Sequence, residues 1–231
     1  VGLILFFSNK GSATEHLELR QAFLLTNSAW ISIALFGSLP FLLSNIEMSF
    51  IDAFFESTSG ITTTGATVIE NLEAKSHGIL IWRALLQWLG GVGIIVMALA
   101  VLPMLSIGGM QLFKTESYET PDKVVPKAAS FAAGISIVYI TLTIVWAFML
   151  WGAGMSIFDS IAHAMTTLAT GGYSTKSESL AAFNSSTIEI IIIFGMLVGS
   201  LPFVHYLALT KNGIKNLIKD DQVKLFLTLV L

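Results

Sequence analysis

Residues 62 to 67 read Thr-Thr-Thr-Gly-Ala-Thr and stand between two long apolar stretches. Their hydroxyls have no His and Asp partners in the arrangement of a nucleophilic site, and no paired carboxylates accompany them, so the useful chemistry lies in the backbone. Irregular backbone at membrane depth is tolerated where protein buries it or where it lines a wet cavity, because an unsatisfied carbonyl in lipid costs several kcal/mol. Gly65 can adopt positive φ at little steric cost, which lets successive carbonyls point the same way. Carbonyl rings of that kind replace the hydration shell of a cation.

The pattern occurs twice. FIDAFFESTSGITTTGAT (50–67) aligns without a gap on IFDSIAHAMTTLATGGYS (157–174), pairing Asp52 with Asp159, Gly65 with Gly172 and Thr67 with Ser174, each 107 residues apart. Both copies follow the same order: a long apolar span, a short apolar helix of about three turns, a Thr/Gly loop, a polar stretch and another span. An even number of crossings separates equivalent positions, so the two copies share one orientation, unlike the inverted repeats of many secondary transporters. The short helices end at the loops and direct their negative dipole ends there.

The elements that must carry these loops are membrane elements. The chain has 231 residues, 54% hydrophobic and 12% charged, against about 25% charged in soluble domains. Apolar runs at 21–44, 79–105, 128–151 and 187–209 are long enough to cross a bilayer, which takes about 20 residues. The runs at 50–60 and 156–168 are half that length and suit re-entrant segments. The expected fold is therefore an all-α membrane protein of tandem repeats, each a transmembrane helix, a re-entrant pore helix, a filter loop and a transmembrane helix. The expected boundaries are 1–20 (end of a preceding helix plus a cytoplasmic loop), 21–105 (first repeat), 106–127 (cytoplasmic loop), 128–210 (second repeat) and 211–231 (loop and start of a third repeat). The chain opens on Val1 inside an apolar strip and ends inside another, which reads as an internal piece of a longer polypeptide.

Charge placement orients the spans. Nine of the 12 Lys and Arg residues (Lys10, Arg20, Lys114, Lys123, Lys127, Lys211, Lys215, Lys219 and Lys224) fall in loops that share one side if crossings alternate, and basic loops stay cytoplasmic. The other side carries Glu47, Asp52, Glu70, Glu73, Asp159 and Glu178 against Lys75 and Lys176, an acidic mouth that would concentrate cations or simply a solvated face. Cysteine is absent. His16, His77 and His205 have no partner at metal-ligand spacing, and nothing in the chain points to nucleic acid.

Three stretches carry a family likeness: FFESTSGITTTGATVIENLE, RALLQWLGGVGIIVMALAVLPMLSIGGMQLFKTES and MSIFDSIAHAMTTLATGGYST. They resemble the TrkH family, membrane subunits of bacterial Trk potassium-uptake systems, in a superfamily with KtrB and plant HKT transporters. The resemblance implies four consecutive repeats around one pore, of which this chain holds the first two, each repeat giving one loop centred on a glycine. It assigns the filter to Thr63, Thr64, Gly65, Ala66 and Thr67 in the first loop and to Thr170, Gly171, Gly172, Tyr173 and Ser174 in the second. Potassium would sit at the carbonyls of Thr64, Gly65, Gly171 and Gly172, as the transported ion and with no cofactor in this chain. The resemblance further implies residence in the bacterial inner membrane, a homodimer, and a cytosolic nucleotide-binding partner of the TrkA type docking near the basic loops at 106–127 and 211–224. The function expected is potassium uptake through a channel-like pore rather than enzymatic catalysis. Two alternatives stay open, an alternating-access cation symporter coupled to H⁺ or Na⁺ and a non-transporting scaffold.

Other residues have simpler expected roles. WLGGVG (88–93) reads as close helix packing, not as a nucleotide fingerprint. Glu56 and His163 are equivalent ionisable positions in the short helices, and Glu56 is expected to pair with Arg83. Asp52 and Asp159 are expected to cap their helices. Trp82 and Trp151 suit the outer interfacial belt, with Trp30, Trp88 and Trp146 among the remaining span positions.

Overall fold

The structure, a computed structural model, describes residues 19–105, 124–203, 205–206 and 220–230. These residues are helical wherever they are regular. In chain order the helices are α1 (Leu19–Gly37), α2 (Leu39–Leu43), α3 (Phe50–Ile61), α4 (His77–Leu105), α5 (Val124–Gly152), α6 (Ile157–Leu168), α7 (Ser186–Ser200) and α8 (Asp221–Val230), with 3₁₀ turns at Leu72–Ala74 and Ser179–Phe183. Lys10, His16, Lys114, Lys123, Lys211, Lys215 and Lys219 lie outside the described residues, as do most of both basic loops.

Length sorts these helices into two kinds. The 29 residues of α4 and of α5 reach about 43 Å at 1.5 Å per residue, more than a hydrocarbon core of about 30 Å. By length and composition alone, Phe23–Leu43 and Ala132–Gly152 are long and apolar enough to cross a membrane, with mean hydropathies of 1.3 and 2.1. The 12 residues of α3 and of α6 reach only about 18 Å and stop short. The first span is interrupted at Ser38, with Pro40 in the first turn of α2, and α7 ends at Ser200, two residues before Pro202. Proline lacks the N–H that would continue either helix.

Both short helices start alike. Ser49 and Ser156 are extended N-caps whose hydroxyls accept the N–H of Asp52 and Asp159, at 3.1 and 3.0 Å, and donate to the carboxylates of the same residues, at 2.7 and 2.8 Å. The capping residue is thus the serine, and the aspartate completes the cap three positions later. A short Ser hydroxyl satisfies an orphan N–H from outside the helix, which a side chain already inside the first turn cannot do as directly.

The core has two lobes. Phe41, Ala53, Ile69, Leu72, Ile79, Leu80 and Leu86 gather around α3, and Ile135, Tyr139, Trp146, Leu150, Leu168 and Ile192 are among those around α6. Helix α4 joins them through Ala84 against Ala162 and Met165. WLGGVG does serve close packing. A Cβ on Gly90 would meet the carbonyl of Ile61 at the end of α3, and one on Gly91 would meet Ala169 at the end of α6 and the Tyr139 hydroxyl. Trp82, half-buried near the start of α4, donates its indole N–H to the Gly37 carbonyl at the end of α1 at 2.9 Å.

Gly90→Ala should therefore cost about 1–3 kcal/mol, the scale of overpacking, because the nearest atoms are backbone and cannot swing away. Gly78 has nothing within 4 Å of such a Cβ, so Gly78→Ala should leave stability unchanged or slightly higher. Thermal unfolding of the two variants in detergent is the comparison.

Candidate ion-coordinating loops

Each short helix closes with the same pair of backbone hydrogen bonds. In the first repeat Thr63 N–H donates to Gly60 O at 3.0 Å and Thr64 N–H to Ser59 O at 2.9 Å; in the second, Thr170 N–H donates to Thr167 O at 3.0 Å and Gly171 N–H to Thr166 O at 2.9 Å. This is the Schellman closure, which needs a left-handed residue just past the helix. Here that residue is a threonine, with φ of 55° at Thr63 and 53° at Thr170. A β-branched residue seldom adopts that conformation, and such strain costs on the order of 1–3 kcal/mol. Two positions later Gly65 and Gly172 both have φ of 81°. Residues 63–65 and 170–172 thus bend the chain twice within three residues.

The bends leave carbonyls without partners. Among the described residues, none donates to the carbonyls of Thr63, Thr64 and Gly65 in the first loop, or of Thr170 and Gly172 in the second. The Gly171 carbonyl differs, because Gln87 Nε2 donates to it at 2.8 Å. The four carbonyls expected to coordinate an ion therefore separate: those of Thr64, Gly65 and Gly172 are open, and that of Gly171 is occupied by a side chain. A Cβ on Gly65 would run into the Gly171 carbonyl, so the two loops touch at these glycines.

Side chains fix the outer halves of both loops. Glu56 accepts hydrogen bonds from Thr67 Oγ1 (2.9 Å), Val68 N–H (3.0 Å) and Arg83 Nε (2.7 Å). At the equivalent position His163 places Nε2 3.0 Å from the Ser174 hydroxyl, while its Nδ1 lies 2.8 Å from the Asp159 carbonyl. That carbonyl makes Nδ1 the donor, so in the neutral ring Nε2 accepts from Ser174. The hydroxyls of Thr67 and Ser174 then each accept a backbone N–H two residues on, from Ile69 and Lys176. A carboxylate and an imidazole thus do the same work, holding the hydroxyl eleven positions downstream.

The expected Glu56–Arg83 pair is present, with both side chains essentially inaccessible at 0% and 1%. It also reaches the second loop. Arg83 Nη1 donates to Ser174 O at 2.9 Å, its guanidinium lies 4.1 Å above the Tyr173 ring, and the Tyr173 hydroxyl reaches Glu56 O at 3.0 Å and Ala66 O at 3.2 Å. Ser59 completes the grip on Ala66 by donating to the same carbonyl at 2.6 Å. Further out, Glu73 accepts from the Ser177 hydroxyl (2.7 Å) and N–H (2.8 Å). His77 stacks on Phe158 and His205 lies 3.6 Å from Asp220, so neither forms part of a loop.

Tandem units of span, half-length helix, polar loop and span define an all-α membrane protein whose unusual chemistry is displayed carbonyl oxygen. The chain belongs to the TrkH family, described as cation transport protein, whose model matches residues 2–231. It is 42% identical over 213 residues to the Trk system potassium uptake protein TrkI of Halomonas elongata, covering 91% of this chain and 43% of that protein. It is 39% identical to the Trk system potassium uptake protein TrkH of Salmonella typhimurium, covering 98% and 48%. The crystal structure of the potassium transporter TrkH from Vibrio parahaemolyticus superimposes with a TM-score of 0.86 at 38% identity, covering 98% of this chain and 46% of that one. The chain spans about half the length of the relatives it matches.

Two outcomes follow from this geometry. Glu56→Gln leaves the Arg83 guanidinium buried without its counter-charge and should cost about 3–5 kcal/mol, whereas the double variant Glu56→Leu/Arg83→Met should recover most of that loss; chemical denaturation in detergent measures both. The Ser177 hydroxyl and N–H hold the Glu73 carboxyl below its ordinary value. A depressed carboxyl stabilises the fold above its unfolded pKa and loses that contribution as pH falls through the lowered folded value. An NMR titration should therefore find Glu73 still ionised where a free glutamate is half protonated, and Ser177→Ala, which removes the hydroxyl but keeps the N–H, should move it part of the way back.

Proposed function

We propose that this chain is the first half of a pore that carries potassium into a bacterial cell across its inner membrane. The observation that carries the reading is the paired set of open carbonyls, at Thr63, Thr64 and Gly65 and at Thr170 and Gly172, produced by the same double bend in both repeats. A carbonyl held at membrane depth without a protein donor needs water or a cation, and several aimed together can replace an ion's hydration shell. The names of the relatives, potassium uptake proteins and a potassium transporter, supply the ion. In this reading Thr63 to Thr67 and Thr170 to Ser174 form two of the filter's walls, and the remainder of a protein twice this length supplies the rest. Gly171 contributes less than Gly65 and Gly172, because its carbonyl already accepts from Gln87. The membrane potential drives the ion inward, at about 2.3 kcal/mol per charge for each 100 mV, and the protein performs no covalent chemistry.

The partners proposed are the bilayer, a second copy of the chain, and a cytosolic TrkA-type regulator that meets the basic loops. An alternating-access symporter is the competing mechanism, and saturation of flux with countertransport would mark it. The grip of Glu56, Arg83 and Tyr173 on both loops favours a filter of fixed shape.

Gly172 has open space around it, so a side chain there acts through backbone conformation rather than collision. Gly172→Ser forces a residue with a Cβ into φ of 81°, a region that costs on the order of 1–2 kcal/mol. Rubidium uptake by the full-length protein in proteoliposomes should then fall, or lose part of its resistance to competing Na⁺. Unchanged uptake together with an unchanged preference for K⁺ over Na⁺ in this variant would remove the filter assignment.

A further inference from the structure

Gln87 lies on α4 in the first repeat, is completely buried, and makes both of its hydrogen bonds to the second repeat's loop. Nε2 donates to Gly171 O at 2.8 Å and Oε1 accepts Tyr173 N–H at 3.0 Å, so the side-chain amide pairs with the loop as a neighbouring strand would. The contact is close enough that a Cβ on Gly171 would collide with the Gln87 amide.

The two bonded groups bracket Gly172. Tyr173 N–H belongs to the same planar trans peptide as Gly172 C=O, and in such a plane the two groups point in opposite directions. Holding the N–H against Gln87 therefore aims the Gly172 carbonyl away from α4. One helical turn earlier, Arg83 holds Ser174 O, so a single face of α4 fixes three backbone groups of that loop.

The second repeat has no matching pair. The end of α6 meets Gly199 of α7, as the end of α3 meets Gly90 of α4. Counting back from Gly199 puts Ile192 and Met196 at the places of Arg83 and Gln87; Ile192 is buried in the apolar core and Met196 is 52% exposed.

We propose that Gln87 is a positioning residue for ion selectivity, a side chain of the first repeat that sets the direction of the Gly172 carbonyl in the second. The proposal rests on the filter reading above, and it concerns which cation is preferred rather than whether the protein folds.

The test uses the full-length protein in proteoliposomes, with rubidium uptake competed by K⁺ and by Na⁺. Gln87→Leu removes both bonds and should reduce the preference for K⁺ over Na⁺ about three- to tenfold, the ratio that one net hydrogen bond carries. Gln87→Glu supplies a readout that a merely structural residue would not give. Its protonated carboxyl can donate to Gly171 O and accept from Tyr173 N–H as the amide does, whereas the ionised form has no donor. Its preference for K⁺, taken relative to wild type at the same pH, should thus approach parity at low pH and fall as pH rises. Arg83, Glu56, Tyr173 and His163, the ionisable groups on the elements around it, are the same in both proteins, so the difference belongs to position 87. Trp82→Phe, on the same helix but bonded to Gly37, should leave the ratio unchanged. If wild type prefers K⁺ and both Gln87 variants keep its ratio at every pH, the role of Gln87 is overturned and the filter stands. If wild type itself shows no preference, the filter reading falls and this inference falls with it.

Discussion

A helix that stops partway through a membrane leaves its last carbonyls with no helical partner and no bulk water. Everything around α3 and α6 responds to that constraint. The Schellman bonds to Gly60 and Ser59, and to Thr167 and Thr166, satisfy some of these carbonyls by folding the chain back. The fold-back then exposes the next carbonyls in turn, those of Thr63, Thr64 and Gly65 and their counterparts. Gly90 and Gly199 lie against the last helical carbonyls, of Ile61 and Leu168, where no side chain would fit. The unmet demand for donors is thus moved into the loop and concentrated there; on the function proposed above, a desolvated cation meets it.

Strained loops keep their shape only when the surroundings over-determine them. The left-handed threonines at 63 and 170 are held from below by the helix ends and from above by Glu56 and His163, acting through Thr67 and Ser174. Arg83 then ties the two loops into one body by bonding Glu56 in the first repeat and Ser174 O in the second. A buried ion pair gains little net stability once desolvation is counted, but breaking it is costly. The pair accordingly makes more sense as a device for geometry: a guanidinium offers donors in a fixed planar fork, and two of them set the distance between loops.

The repeat was legible because hydrophobicity, helix length and the Thr/Gly loops recur at one spacing, and the short helices fall within a residue of their expected ends. Positive φ at Gly65 and Gly172 was legible from residue type. The Glu56–Arg83 pair followed from charge, since opposite charges at membrane depth must find each other. Other features left no such trace. Nothing about Thr63 or Thr170 marks it as left-handed, because the helix end imposes that conformation against threonine's own preference. Asp52 and Asp159 were more conspicuous than the serines that cap, and the bond from Trp82 to Gly37 O left no trace because its partner is only a carbonyl. Gln87 was hidden for the same reason: it bonds to backbone, and a backbone partner has no residue type to pair with it.

The two repeats share a backbone but not a set of side chains, and the difference follows from what each loop can lean on. The first loop is gripped chiefly by its own short helix, where Glu56 takes both Thr67 and Val68 N–H. His163 offers one ring nitrogen to Ser174 because the other is committed to Asp159 O, so it cannot hold a second group of the loop. The same short helix also holds Thr175, whose hydroxyl donates to Asp159 Oδ1 at 2.6 Å, and α4 of the preceding repeat adds Arg83 and Gln87, which hold Ser174 O, Gly171 O and Tyr173 N–H. One backbone shape is therefore reached with two different sets of side chains, and the second loop depends on the helix of the first repeat for three of its backbone bonds.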